Sequence, residues 1–151
     1  MRLAVLALAL ASAAFAAAPD FSGNWKLNGS KSDFGQFPAP SSLTVKITHN
    51  EPKLAAEVKM SGDNGDLELT SNYTTDGKEC TNPGFGGGEM KTTANWDGET
   101  LVLDNKGSFG DNAFTMKDRW SLSDGGKTLT ILRHFSSAMG EADQKLIFEK
   151  Q

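Results

Sequence analysis

From Phe21 onward, apolar and polar residues alternate with a period of two, in short runs repeated almost to the last residue. Leu43, Val45 and Ile47 alternate with Thr44, Lys46 and Thr48, and Leu54, Ala56, Val58 and Met60 alternate with Ala55, Glu57 and Lys59. Leu67, Leu69, Ser71 and Tyr73 are interleaved with Glu68, Thr70 and Asn72. Met90, Thr92, Ala94 and Trp96 precede Leu101 and Leu103. Phe114, Met116, Asp118, Trp120 and Leu122 stand opposite Thr115, Lys117, Arg119 and Ser121. Leu129, Ile131, Arg133 and Phe135 come next, and Leu146 with Phe148 close the chain. Alternation of this kind turns one side of each strand to a core and the other to water.

Asn50-Glu51-Pro52, Asp63-Asn64-Gly65, Asp76-Gly77, Asp97-Gly98 and Asp124-Gly125-Gly126 separate the runs. Glycine tolerates positive φ and Asp or Asn caps the bend, so these segments favour hairpins. No later stretch has a helical period, and no linker divides the chain. The expected fold is all-β: an antiparallel up-and-down barrel of about eight to ten strands, near the number that closes a small barrel.

Two segments interrupt the rhythm. Residues Asn28 to Ser42 carry Phe34, Phe37, Pro38 and Pro40, a length that suits either a packed Ω-loop or a lid over one barrel end. Pro83-Gly84-Phe85-Gly86-Gly87-Gly88 is followed by Glu89 and a strand, not by the helix and Lys of a phosphate-binding loop, and reads as a connection at the rim.

Ahead of the first strand, Arg2, the apolar run Leu3 to Leu10 and the small residues around Ala14-Phe15-Ala16 form the pattern of a secretory signal peptide. Cleavage after Ala16 is expected, leaving one domain over 17–151; the run is too short to serve as a membrane anchor. Loss of Arg2 with the leader takes the net charge from −4 to −5. Mild acidity without a Lys/Arg cluster argues against nucleic acid or an anionic membrane as partner. Cys80 is the only cysteine, so no internal disulfide forms, and it is expected as buried filler. The expected location is outside the cytoplasm, secreted or periplasmic.

Gly23-Asn24-Trp25 on the first strand resembles the Gly-x-Trp that opens lipocalins, fatty-acid-binding proteins and avidins, together called calycins. Phe21-Ser22-Gly23-Asn24-Trp25-Lys26-Leu27 is especially similar to the first strand of the intracellular lipid-binding branch, and the whole chain resembles small exported bacterial proteins described as lipocalin-like. The two-helix lid of fatty-acid-binding proteins has no counterpart here.

The hairpin at Asp124-Gly125-Gly126-Lys127 yields the most specific expectation. With Ser123 opposite Thr128, Leu122 faces Leu129, Trp120 faces Ile131, Asp118 faces Arg133 and Met116 faces Phe135. An acid and a base then meet on an otherwise apolar side, where charge is tolerable only when paired. Three readings of the pair stand side by side. The resemblance implies that Arg133 packs across Trp25 at the closed end, with Asp118 neutralising it. The favoured reading is that structural one; the resemblance also implies a ligand-binding role, in which the planar fork of Arg133 holds a carboxylate tail. In the third, Asp118 exchanges a proton with a substrate.

Other constellations are poorer. His49 and Glu51 lack a third ligand for a metal. His134 falls on the face opposite Arg133, towards solvent. Asp63-Asn64-Gly65-Asp66 is a hairpin turn rather than a calcium loop, and no nucleophile motif, catalytic set or cofactor signature is present.

The expected function is non-covalent binding of a small apolar or amphipathic molecule, with Trp25, Val45, Leu69, Tyr73, Met116, Trp120, Ile131 and Phe135 lining the interior and Asp118 with Arg133 as its polar element. A filled barrel acting through its surface, as an interaction or inhibitor module, and a barrel-interior acid/base enzyme are the alternatives. Nothing in the sequence names the ligand or the oligomeric state.

Overall fold

The computed structural model describes residues 16–151, so the leader expectation lies almost entirely outside the described residues. Ten antiparallel strands make one sheet. They are β1 (Gly23–Leu27), β2 (Ser42–Asn50), β3 (Lys53–Gly62), β4 (Gly65–Thr74), β5 (Cys80–Pro83), β6 (Glu89–Asp97), β7 (Thr100–Phe109), β8 (Asn112–Ser123), β9 (Thr128–Ser137) and β10 (Gly140–Lys150).

Each strand pairs with its sequence neighbour except β4 with β5, and β1 pairs in addition with β10, Trp25 opposite Lys150, which joins the first and last strands and curls the sheet into a nearly closed barrel. This is the meander the alternation predicts. Short β1 serves as the closing stave because β2 takes its other edge, with Trp25 opposite Val45.

One seam remains, between β4 and β5, the two ends of the strand order. A side chain bridges it: the Asn72 amide donates to Asn82 Oδ1 at 2.7 Å, and Asn82 Nδ2 donates to the Asn72 carbonyl at 3.0 Å. One buried amide thus does the work of a ladder pair. β5 itself was not expected from the sequence. It has four residues, ends in Pro83 and carries no apolar alternation. Cys80 on it is half-buried, not the buried filler anticipated: it lies on the outer seam with its Sγ 3.6 Å from Thr74 Oγ1 of β4.

The ends of the barrel differ. At the closed end Phe21, Trp25, Leu54, Leu101, Leu129 and Phe148 are almost fully buried in one cluster. At the other end Phe114 and Met116 form a smaller aromatic cluster with Met90, Phe85 and Phe135. The segment from Asn28 to Ser42 contributes a single 3-10 turn, Gly29–Lys31, then runs along β10, where Asp33 and Lys145 exchange backbone hydrogen bonds. Its Phe37 meets Phe135 edge-on at 5.6 Å, so the segment packs at the open end, a place that suits the Ω-loop and the lid readings alike.

Candidate functional site

The alternation of β8 and β9 builds the site. Phe114, Met116, Asp118 and Trp120 are all buried, whereas Thr115, Lys117 and Arg119 are exposed. The register across the Asp124 turn is the expected one, with Asp118 opposite Arg133, Trp120 opposite Ile131 and Met116 opposite Phe135.

Arg133 and Asp118 make a two-pronged ion pair. Nε donates to Oδ1 and Nη2 to Oδ2, both at 2.8 Å. The Asp118 side chain is 4% exposed and that of Arg133 22%. Burial works against a charged guanidinium, but the attraction and hydrogen bonds of Asp118 outweigh it and hold Arg133 above its ordinary value. Burial likewise holds the Tyr73 phenol up, against a hydrogen bond from Ser71, with the charge of Asp118 adding to the effect.

The pair sits in the wall of an interior cavity of about 130 Å³, lined by aliphatic side chains from β2, β3, β4, β7 and β9 together with Tyr73, Met116, Trp120 and Phe148. Its polar lining is sparse: Ser71, Asn105, Asp118 and Arg133. Asn105 is itself engaged, accepting from Thr92 Oγ1 at 2.6 Å and donating to the Met116 carbonyl at 2.9 Å. A wider chamber of about 420 Å³ lies at the mouth, walled by Phe34, Phe37, Phe109, Phe114 and Phe135. Leu43, Met60, Phe85, Met116, Arg133 and Leu146 border both spaces.

Of the residues expected inside, Val45, Leu69, Tyr73, Met116, Trp120, Ile131, Asp118 and Arg133 line the inner cavity, and Phe135 lines the mouth chamber. Trp25 lines neither. It is packed at the closed end, where its Nε1 donates to the Phe21 carbonyl at 2.9 Å. The expected Arg133–Trp25 packing is absent, and the cation over the Trp25 ring is Lys150, 5.4 Å away. Register explains the difference. Trp25 aligns with Lys150, whose amide bonds the Lys127 carbonyl, and Lys127 lies six residues from Arg133, about 20 Å of strand.

Sequence reasoning passed over Phe85, Thr92, Asn105 and Ser71 as site residues. Asn105 continues the inward beat of Leu101 and Leu103, and that beat was the available signal. Phe85 sits in a glycine-rich segment with no periodicity to place it.

His49 and Glu51 form a second constellation at the closed end. His49 Nε2 donates to Glu51 Oε1 at 2.7 Å while Nδ1 accepts from the Phe21 amide at 3.2 Å. Thr75 Oγ1 and Trp96 Nε1 donate to the same carboxylate at 2.6 and 3.1 Å, and the rings of Phe21, His49 and Trp96 pack mutually with centroids 5.8 to 6.1 Å apart. Both ring nitrogens are engaged by protein, so this cluster is a clasp on the barrel floor rather than a metal site. Burial pushes the Glu51 carboxyl up, but hydrogen bonds from Thr75 and His49 prevail and lower it from its ordinary value. His134 is exposed on the outer face, as expected, and its Nδ1 lies 2.6 Å from Asp143.

No family model matches the chain, and no curated protein sequence matches it significantly. Solved structures do resemble it. Zebrafish ileal bile acid-binding protein complexed with cholic acid aligns with a TM-score of 0.61 at 19% identity, over 87% of this chain and 98% of that one. A secretory abundant heat soluble protein from Ramazzottius varieornatus aligns with a TM-score of 0.59 at 14% identity, over 86% and 94%. The Schistosoma mansoni fatty acid binding protein, in complex with arachidonic acid, gives 0.51 at 14%, over 87% and 96%. At these identities the likeness is one of fold, and it agrees with the nearly closed meander: the chain shares the antiparallel barrel fold of these structures.

Proposed function

We propose that this chain is an exported binding protein that holds a small apolar or amphipathic molecule inside its barrel. The observation that carries the reading is an apolar inner cavity beside an aromatic mouth chamber, with Arg133 of the ion pair among the residues that border both. Ligand sites are typically concave, mostly apolar and furnished with few polar groups. The inner cavity alone is smaller than the usual range of about 300–1,000 Å³, whereas the mouth chamber falls within it. A ligand seated in both, with its polar end beside Arg133, fits this division. The ligands named for the bile acid-binding and fatty acid-binding neighbours point to the same kind of occupant. Export rests on the leader pattern of residues 1–16, and the processed chain should begin at Ala17 when sequenced from its host.

Titration with the neutral fluorophore Nile red tests the reading. One saturable site is expected, and Leu69→Trp, which sends an indole into the inner cavity, should weaken it at least about tenfold. Absence of saturable binding in both proteins would favour the filled barrel acting through its surface.

A further inference from the structure

We infer that the occupant is a two-part molecule: an aromatic ring system seated among the mouth phenylalanines, carrying an aliphatic tail of no more than about six carbons that enters the inner cavity. This rests on the binding function proposed above and names the class of molecule the site takes.

Volume sets the tail. The inner cavity measures about 130 Å³ and its walls are mainly aliphatic. A cavity of about 150 Å³ lined by Leu, Ile and Phe takes one benzene, so the inner cavity has room for about six carbon atoms. The mouth chamber, at about 420 Å³, has room for the larger part of a ligand. Leu43, Met60, Phe85, Met116, Arg133 and Leu146 border both spaces. They come from β2, β3, β8, β9, β10 and the Phe85–Gly87 turn, and so form a collar between a small compartment and a large one. Asp118 pins Arg133 in that collar through two hydrogen bonds of 2.8 Å. A long chain overfills the small compartment, whereas a short tail fills it.

The walls of the larger compartment set the body. Phe109 and Phe114 stack at 4.7 Å with their planes 23° apart, and Phe114 stacks on Phe135 at 5.3 Å and 28°. Phe37 ends this row edge-on to Phe135, at 86°. Its two end members, Phe37 and Phe109, are 41% and 46% exposed, and both line the chamber. Aromatic surface is thus left uncovered at the ends of a row already built by ring–ring contact. A guest ring extends such a row by stacking or edge-on contact, an attraction beyond apolar burial that a saturated body does not gain.

The test is titration calorimetry at pH 7.5 with 1-n-alkyl-2-naphthols bearing tails of zero to eight carbons, beside the matching saturated 1-n-alkyl-2-decalols. The naphthol hydroxyl stands next to the tail, and so at the Arg133 border. Affinity should rise about fourfold per carbon, level off at about six carbons, and favour each naphthol over its decalol by about two- to tenfold. Leu69→Trp, which fills the inner cavity, should flatten the rise with tail length. Phe109→Leu, at an exposed position, should bring the naphthol-to-decalol ratio down towards one. If Leu69→Trp does not fold, the wild-type series and Phe109→Leu still decide. Affinity that keeps climbing to eight carbons, a rise that survives in folded Leu69→Trp, or a naphthol preference that is absent or untouched by Phe109→Leu overturns the inference while the binding function stands. The inference alone also falls if Nile red binds and no naphthol does. Only failure of Nile red and of every probe removes the binding function with it.

Discussion

Asn82 supplies β4 with the hydrogen-bond partner that the β5 backbone does not: its side-chain amide accepts from and donates to the backbone of Asn72, at 2.7 and 3.0 Å. The geometry copies one rung of an antiparallel ladder at the only place where the sheet order ends. Replacing Asn82 with Ala orphans both backbone groups and should cost about 1–3 kcal/mol. Asn82→Asp should cost a similar amount, because it keeps the acceptor but loses the donor. Urea unfolding reads the loss, and amide exchange at Asn72 should quicken more than at its β3 partner Ala55. Equal protection in wild type and variant would remove the bridge from the account.

The Asp118–Arg133 pair should behave as a unit. Asp118→Leu leaves a largely buried guanidinium without its partner, and a loss of about 3 kcal/mol is expected. Arg133→Met should cost a comparable amount. The double variant Asp118→Leu/Arg133→Met should recover most of the stability, since a paired ion inside an apolar wall gains little over well-packed hydrophobic residues. Additive losses in a double-mutant cycle would contradict this.

Glu51 gives the acid limb of stability a definite sign. Its folded carboxyl lies below the ordinary value of 4.5 because hydrogen bonds from Thr75 and His49 overcome burial. The unfolded chain therefore binds this proton more readily, so the contribution is complete above about 4.5 and disappears as pH falls through the lower folded value. Between pH 5 and pH 3, wild type should lose more of its urea midpoint than Glu51→Gln does. Parallel curves for the two proteins would show that the clasp does not respond in this way.

Gly107 is held small by the mouth cluster. A Cβ there would lie 2.6 Å from Phe114 Cζ, and the Phe114 ring is confined by stacking on Phe109 at 4.7 Å and Phe135 at 5.3 Å. Gly107→Ala should cost about 1–3 kcal/mol as overpacking. It should also slow Nile red uptake, because the displaced ring moves in the mouth chamber. Unchanged stability and uptake would mean that the ring shifts freely.

The wall of the barrel was legible because the inward positions of β8 and β9 keep step around an Asp-Gly-Gly turn, Leu132 notwithstanding on the outer face, which sets the Asp118–Arg133 register from sequence alone. β5 was not legible, since a four-residue edge held by an Asn side chain leaves no periodic trace. Placing Arg133 over Trp25 failed for a related reason. Alternation says which face a residue occupies, not how far along the barrel it sits, and only the β1–β10 pairing shows that Lys150 reaches Trp25.

Native mass spectrometry of the protein purified without denaturation from its own host bears most directly on the claim that the barrel holds a small molecule. The account predicts the mature chain carrying a single small-molecule adduct that organic extraction removes and that an excess of Nile red replaces. A chain that arrives bare, and stays bare when offered Nile red, would contradict it.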